Sequence, residues 1–182
     1  MRHDPARFLG FLGSAVVTAA LLCLGGCGYR VVGRTGDSLP AGIHTIAVPA
    51  FENPTSQYRI EQRLTGAVVR ELLARTSYHV VSKPEDGDAV LRGRVTSITS
   101  APVIFDPITG AATTILVTVT IAVRLEDRAT GNVLYRNDNV LFREPYEIST
   151  DIPSFFEEEG PALDRLARDF ASRVVATILE NF

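Results

Sequence analysis

The longest regular pattern in the chain is a strict alternation. Ile115, Val117, Val119, Ile121, Val123 and Leu125 fall on one side, and Leu116, Thr118, Thr120, Ala122, Arg124 and Glu126 on the other. A period of two sustained this long predicts a β-strand with one buried and one polar face. Residues 88–100 repeat the pattern more briefly, with Leu91, Gly93 and Val95 opposed to Arg92, Arg94 and Thr96. Residues 133–143 form a further strand whose two faces are both partly polar, after a turn at 128–132. Residues 43–51 and 78–81 read as shorter, more evenly apolar strands, the first closed off by Pro49, which has no N–H for a ladder. Residues 101–112, with Pro102, Pro107 and Gly110, read as a hairpin loop or mobile tip.

Two stretches switch to a helical period. In residues 57–75, Ile60, Leu64, Ala67, Val68 and Leu72 recur at steps of three and four, behind the cap-forming Asn53-Pro54-Thr55-Ser56. Gly66 weakens the middle of this helix by about 1 kcal/mol relative to alanine and is the kind of residue that permits close helix–sheet contact. In residues 154–181 the stripe is Leu163, Leu166, Phe170, Val174 and Ile178, with Arg165, Arg168, Asp169 and Arg173 on the outside and Pro161 expected to interrupt the helix early. The order strand, helix, strands, helix predicts an α+β fold. It is a two-layer sandwich with two helices on one face of a four-stranded mixed β-sheet, the Thr- and Arg-bearing face left open.

The first 26 residues stand apart from this domain. Arg2 and Arg7 precede an apolar run over 8–24, which ends in small residues before Cys27, the layout of a secretory signal peptide. The exit Leu24-Gly25-Gly26-Cys27 resembles a bacterial lipobox. That likeness implies cleavage before Cys27, acylation of Cys27 and, since residue 28 is Gly rather than Asp, an outer-membrane address. Residues 27–41, rich in glycine, then read as a lipidated tether and residues 42–182 as the single domain. Loss of Arg2, Arg7 and Asp4 turns 18 basic and 21 acidic residues into 16 and 20, net −4. That balance carries no nucleic-acid footprint. With Cys23 removed, no internal disulfide can form, and stability must come from a packed core.

Catalytic chemistry is hard to find. His44 and His79 lie singly on strands without the neighbours a zinc site needs. Glu157, Glu158 and Glu159 suit a helix start, and Asp86 and Asp88 a turn. Neither a nucleophile elbow nor a phosphate-binding glycine loop is present. No catalytic residue, metal or cofactor is therefore expected. The open sheet face is more informative, because Arg92, Arg94 and Arg124 could dock an anionic partner such as a phosphorylated glycolipid. The same polar face would suit the wet lumen of a large barrel.

Several segments resemble one family. They are Cys27-Gly28-Tyr29-Arg30-Val31-Val32-Gly33, Ile46-Ala47-Val48-Pro49-Ala50-Phe51-Glu52-Asn53, Tyr58-Arg59-Ile60-Glu61-Gln62-Arg63-Leu64-Thr65, Asp88-Ala89-Val90-Leu91-Arg92-Gly93 and Phe155-Phe156-Glu157-Glu158-Glu159. In this order they resemble LptE, the lipoproteins of lipopolysaccharide (LPS) assembly. The resemblance implies a non-enzymatic outer-membrane component held by N-terminal acyl chains. It would plug an LptD-type β-barrel, assist that barrel's assembly and help LPS reach the cell surface. Cys27 carries over as the lipidation site, and Arg92, Arg94 and Arg124 are candidate LPS contacts. The segment at 46–53 also looks like the first strand of lipoproteins that regulate peptidoglycan synthases or build secretion pores, which is the competing expectation. A lipid-anchored hydrolase is a third.

Overall fold

The computed structural model describes residues 39–57, 59–148 and 159–180. Its elements are β1 (Thr45–Ala47), α1 (Ile60–Arg75), β2 (His79–Val81), a 3-10 turn (Pro84–Asp86), β3 (Ala89–Phe105), β4 (Ala112–Asp127), β5 (Val133–Glu147) and α2 (Glu159–Glu180). One mixed sheet has the order β2-β1-β3-β4-β5. β1 runs parallel to β2 and β3, and β3–β4–β5 form an antiparallel meander.

This is the expected α+β sandwich with five strands instead of four. The segment at His79–Val81 pairs on the far side of β1 as an edge strand, so β1 becomes internal. β1 is shorter than expected. Val48 N–H still bonds Val81 O at 2.8 Å, but Pro49 has nothing to donate and the chain leaves the sheet. It touches the sheet again once, where Glu52 N–H bonds Gly93 O and Val95 N–H bonds Glu52 O, both at 2.9 Å.

α1 buries the expected residues Ile60, Leu64, Ala67, Val68 and Leu72. It starts three residues late. Asn53 holds a turn instead, accepting from Thr55 N–H and donating to Gln57 O and Glu61, and Arg59 has φ 60°, a left-handed conformation outside the helix. Gly66 does not mark close helix–sheet contact. A methyl group there would meet the Arg70 guanidinium at 3.3 Å and no strand. In α2, Pro161 lies in the first turn, where a missing N–H costs nothing, so it opens the helix rather than interrupting it. The expected cap at Ser154 and the acids Glu157 and Glu158 lie outside the described residues.

The core lies between the helices and the inner sheet face, where Val117, Val119, Ile121, Val123 and Leu125 are buried as their alternation requires. Phe170 of α2 is fully enclosed, meeting Phe51 and Phe142 edge-on at ring-centroid distances of 6.1 and 5.5 Å. Arg173 caps Phe142 at 4.8 Å. Gly93 lies under Phe51, and a methyl group there would come within 2.3 Å of the ring.

Irregularities in both ladders reset the alternation, among them one in the middle of β3, one at Leu134 and one further along β5. Val95 pairs with Ile121 and Ser97 with Thr120, so Thr96 is an extra residue and Ile98 returns to the inner side opposite Val119. In β5, Val140 pairs with Ile121 and Asn137 with Val123, which leaves an extra residue in the Asp138-Asn139 stretch. The expected loop at 101–112 is mostly ladder. β3 continues to Phe105, β4 begins at Ala112, and the turn is only 106–111. Proline does not end β3, because among the described residues the strand has no neighbour on its other side there, and Pro102 sits where the ladder turns irregular.

Candidate functional site

The sheet register places arginines side by side on the outer face. Arg92 of β3 is directly opposite Arg124 of β4, and Arg124 is directly opposite Arg136 of β5. Three adjacent strands spaced about 4.8 Å apart therefore carry a row of guanidinium groups about 10 Å wide. Arg94 follows two residues along β3 on the same side. A shallow cavity of about 300 Å³ is lined by these four arginines together with Glu52 and Asp138.

Like charges facing one another across strands repel, and here acids stand between them. Glu126 bonds Arg124 and lies 3.9 Å from Arg92. Glu52 bonds Arg94 at 2.7 Å. Asp138 takes both oxygens to Arg136 Nε, at 3.0 and 2.8 Å. That hydrogen bond holds the Asp138 carboxyl below its usual range, with a smaller contribution from the Arg136 and Arg124 charges. Four cations face three anions, all in contact with solvent. Exposed pairs of this kind contribute little to stability. An incoming phosphate can thus displace the acids at little cost and take the charge-assisted, forked hydrogen bonds that guanidinium offers.

The structure brings Arg92, Arg94 and Arg124 together as the alternation required. It adds Arg136, which sequence reasoning left out because the extra residue at Leu134 hides which residues of β5 share its face. Beyond Arg94 the same face carries Ser97, Thr99, Thr118 and Thr120, half-buried or exposed. Cys27 lies outside the described residues.

The other singled-out residues have structural work. Asp88 Oδ2 accepts from His44 N–H at 3.0 Å and Thr45 N–H at 2.9 Å, tying β1 to the start of β3. These two bonds hold its pKa below the ordinary carboxylate value. His44 and His79 are exposed. Glu159 accepts from Gln57, joining the two helix starts. Among the described residues, no cluster of His, Cys, Asp or Glu could hold a metal ion, and no helix is long and apolar enough to cross a membrane.

Residues 43–178 match the family described as LptE, lipopolysaccharide-assembly. The chain belongs to the LptE family. No curated protein matches it by sequence. In fold it is similar to the rare lipoprotein B of Shewanella oneidensis, with a TM-score of 0.51, 14% identity, and coverage of 75% of this chain and 94% of that one. It is also similar to lipoprotein B of Nitrosomonas europaea, with a TM-score of 0.50, 16% identity, and coverage of 85% and 88%. A third likeness is a point variant of the PelC dodecamer of Paraburkholderia phytofirmans, with a TM-score of 0.50, 16% identity, and coverage of 75% and 86%. At these identities the likeness is one of fold.

Proposed function

We propose that this LptE-family chain is an outer-membrane lipoprotein of LPS assembly, anchored through acylated Cys27 and without enzymatic activity. Its sandwich domain docks inside an LptD-type barrel, and the arginine row on its open face receives the phosphates of LPS. The observation that carries the site is the register Arg92–Arg124–Arg136, three guanidinium groups abreast beside Arg94. The family match over 43–178 supports the pathway. A polar, solvent-exposed outer face also fits a water-filled lumen better than a bilayer.

The anchor has a physical requirement. One acyl chain holds a protein at a membrane only marginally, so stable attachment needs more than one chain at Cys27.

Two experiments test the proposal. The double variant R92E/R94E should fold normally and lose roughly tenfold or more in LPS affinity, a difference of about 1.4 kcal/mol or greater. Unchanged affinity in the folded variant would remove the arginine row from LPS recognition. Purification of tagged protein from detergent-solubilised outer membranes should bring down a large β-barrel in equal amount. A cell-wall synthase, or a ring of copies without a barrel, would instead assign the chain to the competing classes.

A further inference from the structure

β3 outruns its neighbour on one side. β1 ends at Ala47, and the chain touches β3 once more, where Glu52 bonds Gly93 O and Val95 N–H. Beyond Val95 no described strand pairs with β3 on that side, although β3 continues to Phe105.

The ladder tells which peptide groups face this empty lane. Thr113 O accepts from Ile148 N–H on the β5 side, so odd-numbered β4 residues up to Ile121 turn their peptide groups toward β5 and even-numbered ones toward β3. Ser97, Thr99 and Ala101 pair with the even-numbered Thr120, Thr118 and Leu116. Ile98, Ser100 and Pro102 pair with the odd-numbered Val119, Val117 and Ile115. The N–H and C=O of Ile98 and Ser100 therefore point into the lane. So does the carbonyl of Pro102, whose missing N–H costs the β4 ladder nothing. Val95, opposite Ile121, obeys the same rule, since its N–H goes to Glu52.

Edges left open to water are normally guarded by shortness, charge or proline. β2 is three residues long, and β5 carries Arg136, Asp138, Arg143, Glu144, Pro145 and Glu147. Ser97-Ile98-Thr99-Ser100-Ala101 has neither charge nor proline, and all but the half-buried Ile98 are exposed. The end of the hairpin to which the lane leads exposes Val103, Ile104, Phe105 and Ile108, a concentration that suits a protein contact. An uncharged row of alternating donors and acceptors offers nothing to a phosphate and matches the backbone of an extended peptide.

A second copy of the chain does not fit. Glu52 fills the lane as far as Val95, while β3 and its turn run on past Phe105. Two copies paired by a two-fold axis would each drive the tip into the other's Glu52 unless the match were centred on Pro102 or beyond. There neither copy has a donor, and the ladder is irregular. We propose that the lane receives a short, uncharged, extended segment of the enclosing barrel's own chain, added to β3 as a strand across Ile98 and Ser100. This rests on the barrel reading and deepens it, and it leaves the outer face with its arginine row free.

The test is residue-resolved hydrogen exchange on the full chain, overproduced and purified in detergent free of barrel, and on the same tagged chain purified with its barrel from outer membranes. In the free chain the amides of Ile98 and Ser100 should exchange fast, and those of Ser97, Thr99 and Ala101, held by β4, slowly. In the complex Ile98 and Ser100 should slow by about tenfold or more. S100P removes one donor from the lane and none from the β4 ladder. It should melt like the parent and still co-purify with the barrel, while Ile98 returns to its free-chain exchange rate. T99P, which does cut a β4 bond, should melt earlier. Equal exchange of Ile98 and Ser100 in the free chain and the complex would overturn the strand addition and leave the barrel reading standing, and this comparison needs no variant to fold. Ile98 still slowed in the S100P complex would also overturn it, since enclosure without a strand would then explain the slowing. Recovery of the chain without any barrel would remove both readings together.

Discussion

The turns at the two ends of β4 are built alike and serve opposite ends of the molecule. One reads Asp106-Pro107-Ile108-Thr109-Gly110-Ala111, the other Asp127-Arg128-Ala129-Thr130-Gly131-Asn132. In each, the aspartate N–H bonds the sixth residue's carbonyl and its carboxylate accepts from the third and fourth amides. In each, the threonine hydroxyl accepts from the last amide, and the glycine takes a left-handed φ, 70° and 73°. What differs is the dressing and the surroundings. Arg128 at the second turn bonds Asp88 O through its N–H and Gly87 O through its side chain, at 2.9 and 2.6 Å, locking that end onto β1 and β3. Among the described residues the first turn makes no such tie, and it presents proline and isoleucine. Local sequence thus sets the shape of both turns, while what each meets beyond itself sets its role.

That contrast can be attacked first at the packed end. Phe170→Ala should cost about 3–5 kcal/mol, since it empties the space between Phe51 and Phe142. Ile108→Ala at the exposed tip should stay within about 0.5 kcal/mol. Chemical denaturation of both variants measures the gap, and a comparable loss at Ile108 would mean the tip packs on the domain after all.

Gly93→Ala should follow, at about 1–3 kcal/mol, because the Phe51 ring must move to admit a methyl group. Thermal melts suffice to check it, and the arginine row should keep its ligand affinity if β3 holds its register.

Asp88→Ala should cost about 1–2 kcal/mol through the two amides of β1 that lose their acceptor. The folded pKa of Asp88 is depressed, so the stabilisation is complete above the unfolded value near ~4 and is lost as pH falls through the folded value. The variant should therefore show a flatter stability profile in that acidic window, read by denaturation at stepped pH. An unchanged slope would mean other carboxylates dominate.

The smallest effect should separate the twin turns most sharply. Asp106→Ala and Asp127→Ala should both speed amide exchange at the third and fourth residues of their turns. Only Asp127→Ala should lower the melting temperature, because only that turn is tied to the sheet base. Equal melting shifts would erase the distinction between a free tip and an anchored one.

The sequence by itself determined the elements and their buried sides. Ile115 to Leu125 at every second position, and Ile60 to Leu72 at every third or fourth, are periods that only a half-buried strand and an amphipathic helix satisfy. It also made Asp88 a structural residue and put Arg92, Arg94 and Arg124 on one face, since alternation alone separates them from Leu91, Gly93 and Val95. Only the tertiary structure decided the rest. Periodicity does not say which strands are neighbours, so the place of β2 beyond β1 and the fifth strand came from pairing. One extra residue at Leu134, between the turn and Arg136, shifts the register of β5, which is why Arg136 joined the row only when the pairing was seen. The projecting tip was hidden for a related reason. Pro102 signals a break wherever an N–H is needed, and only the lack of a neighbour along that part of β3 among the described residues shows that none was needed there.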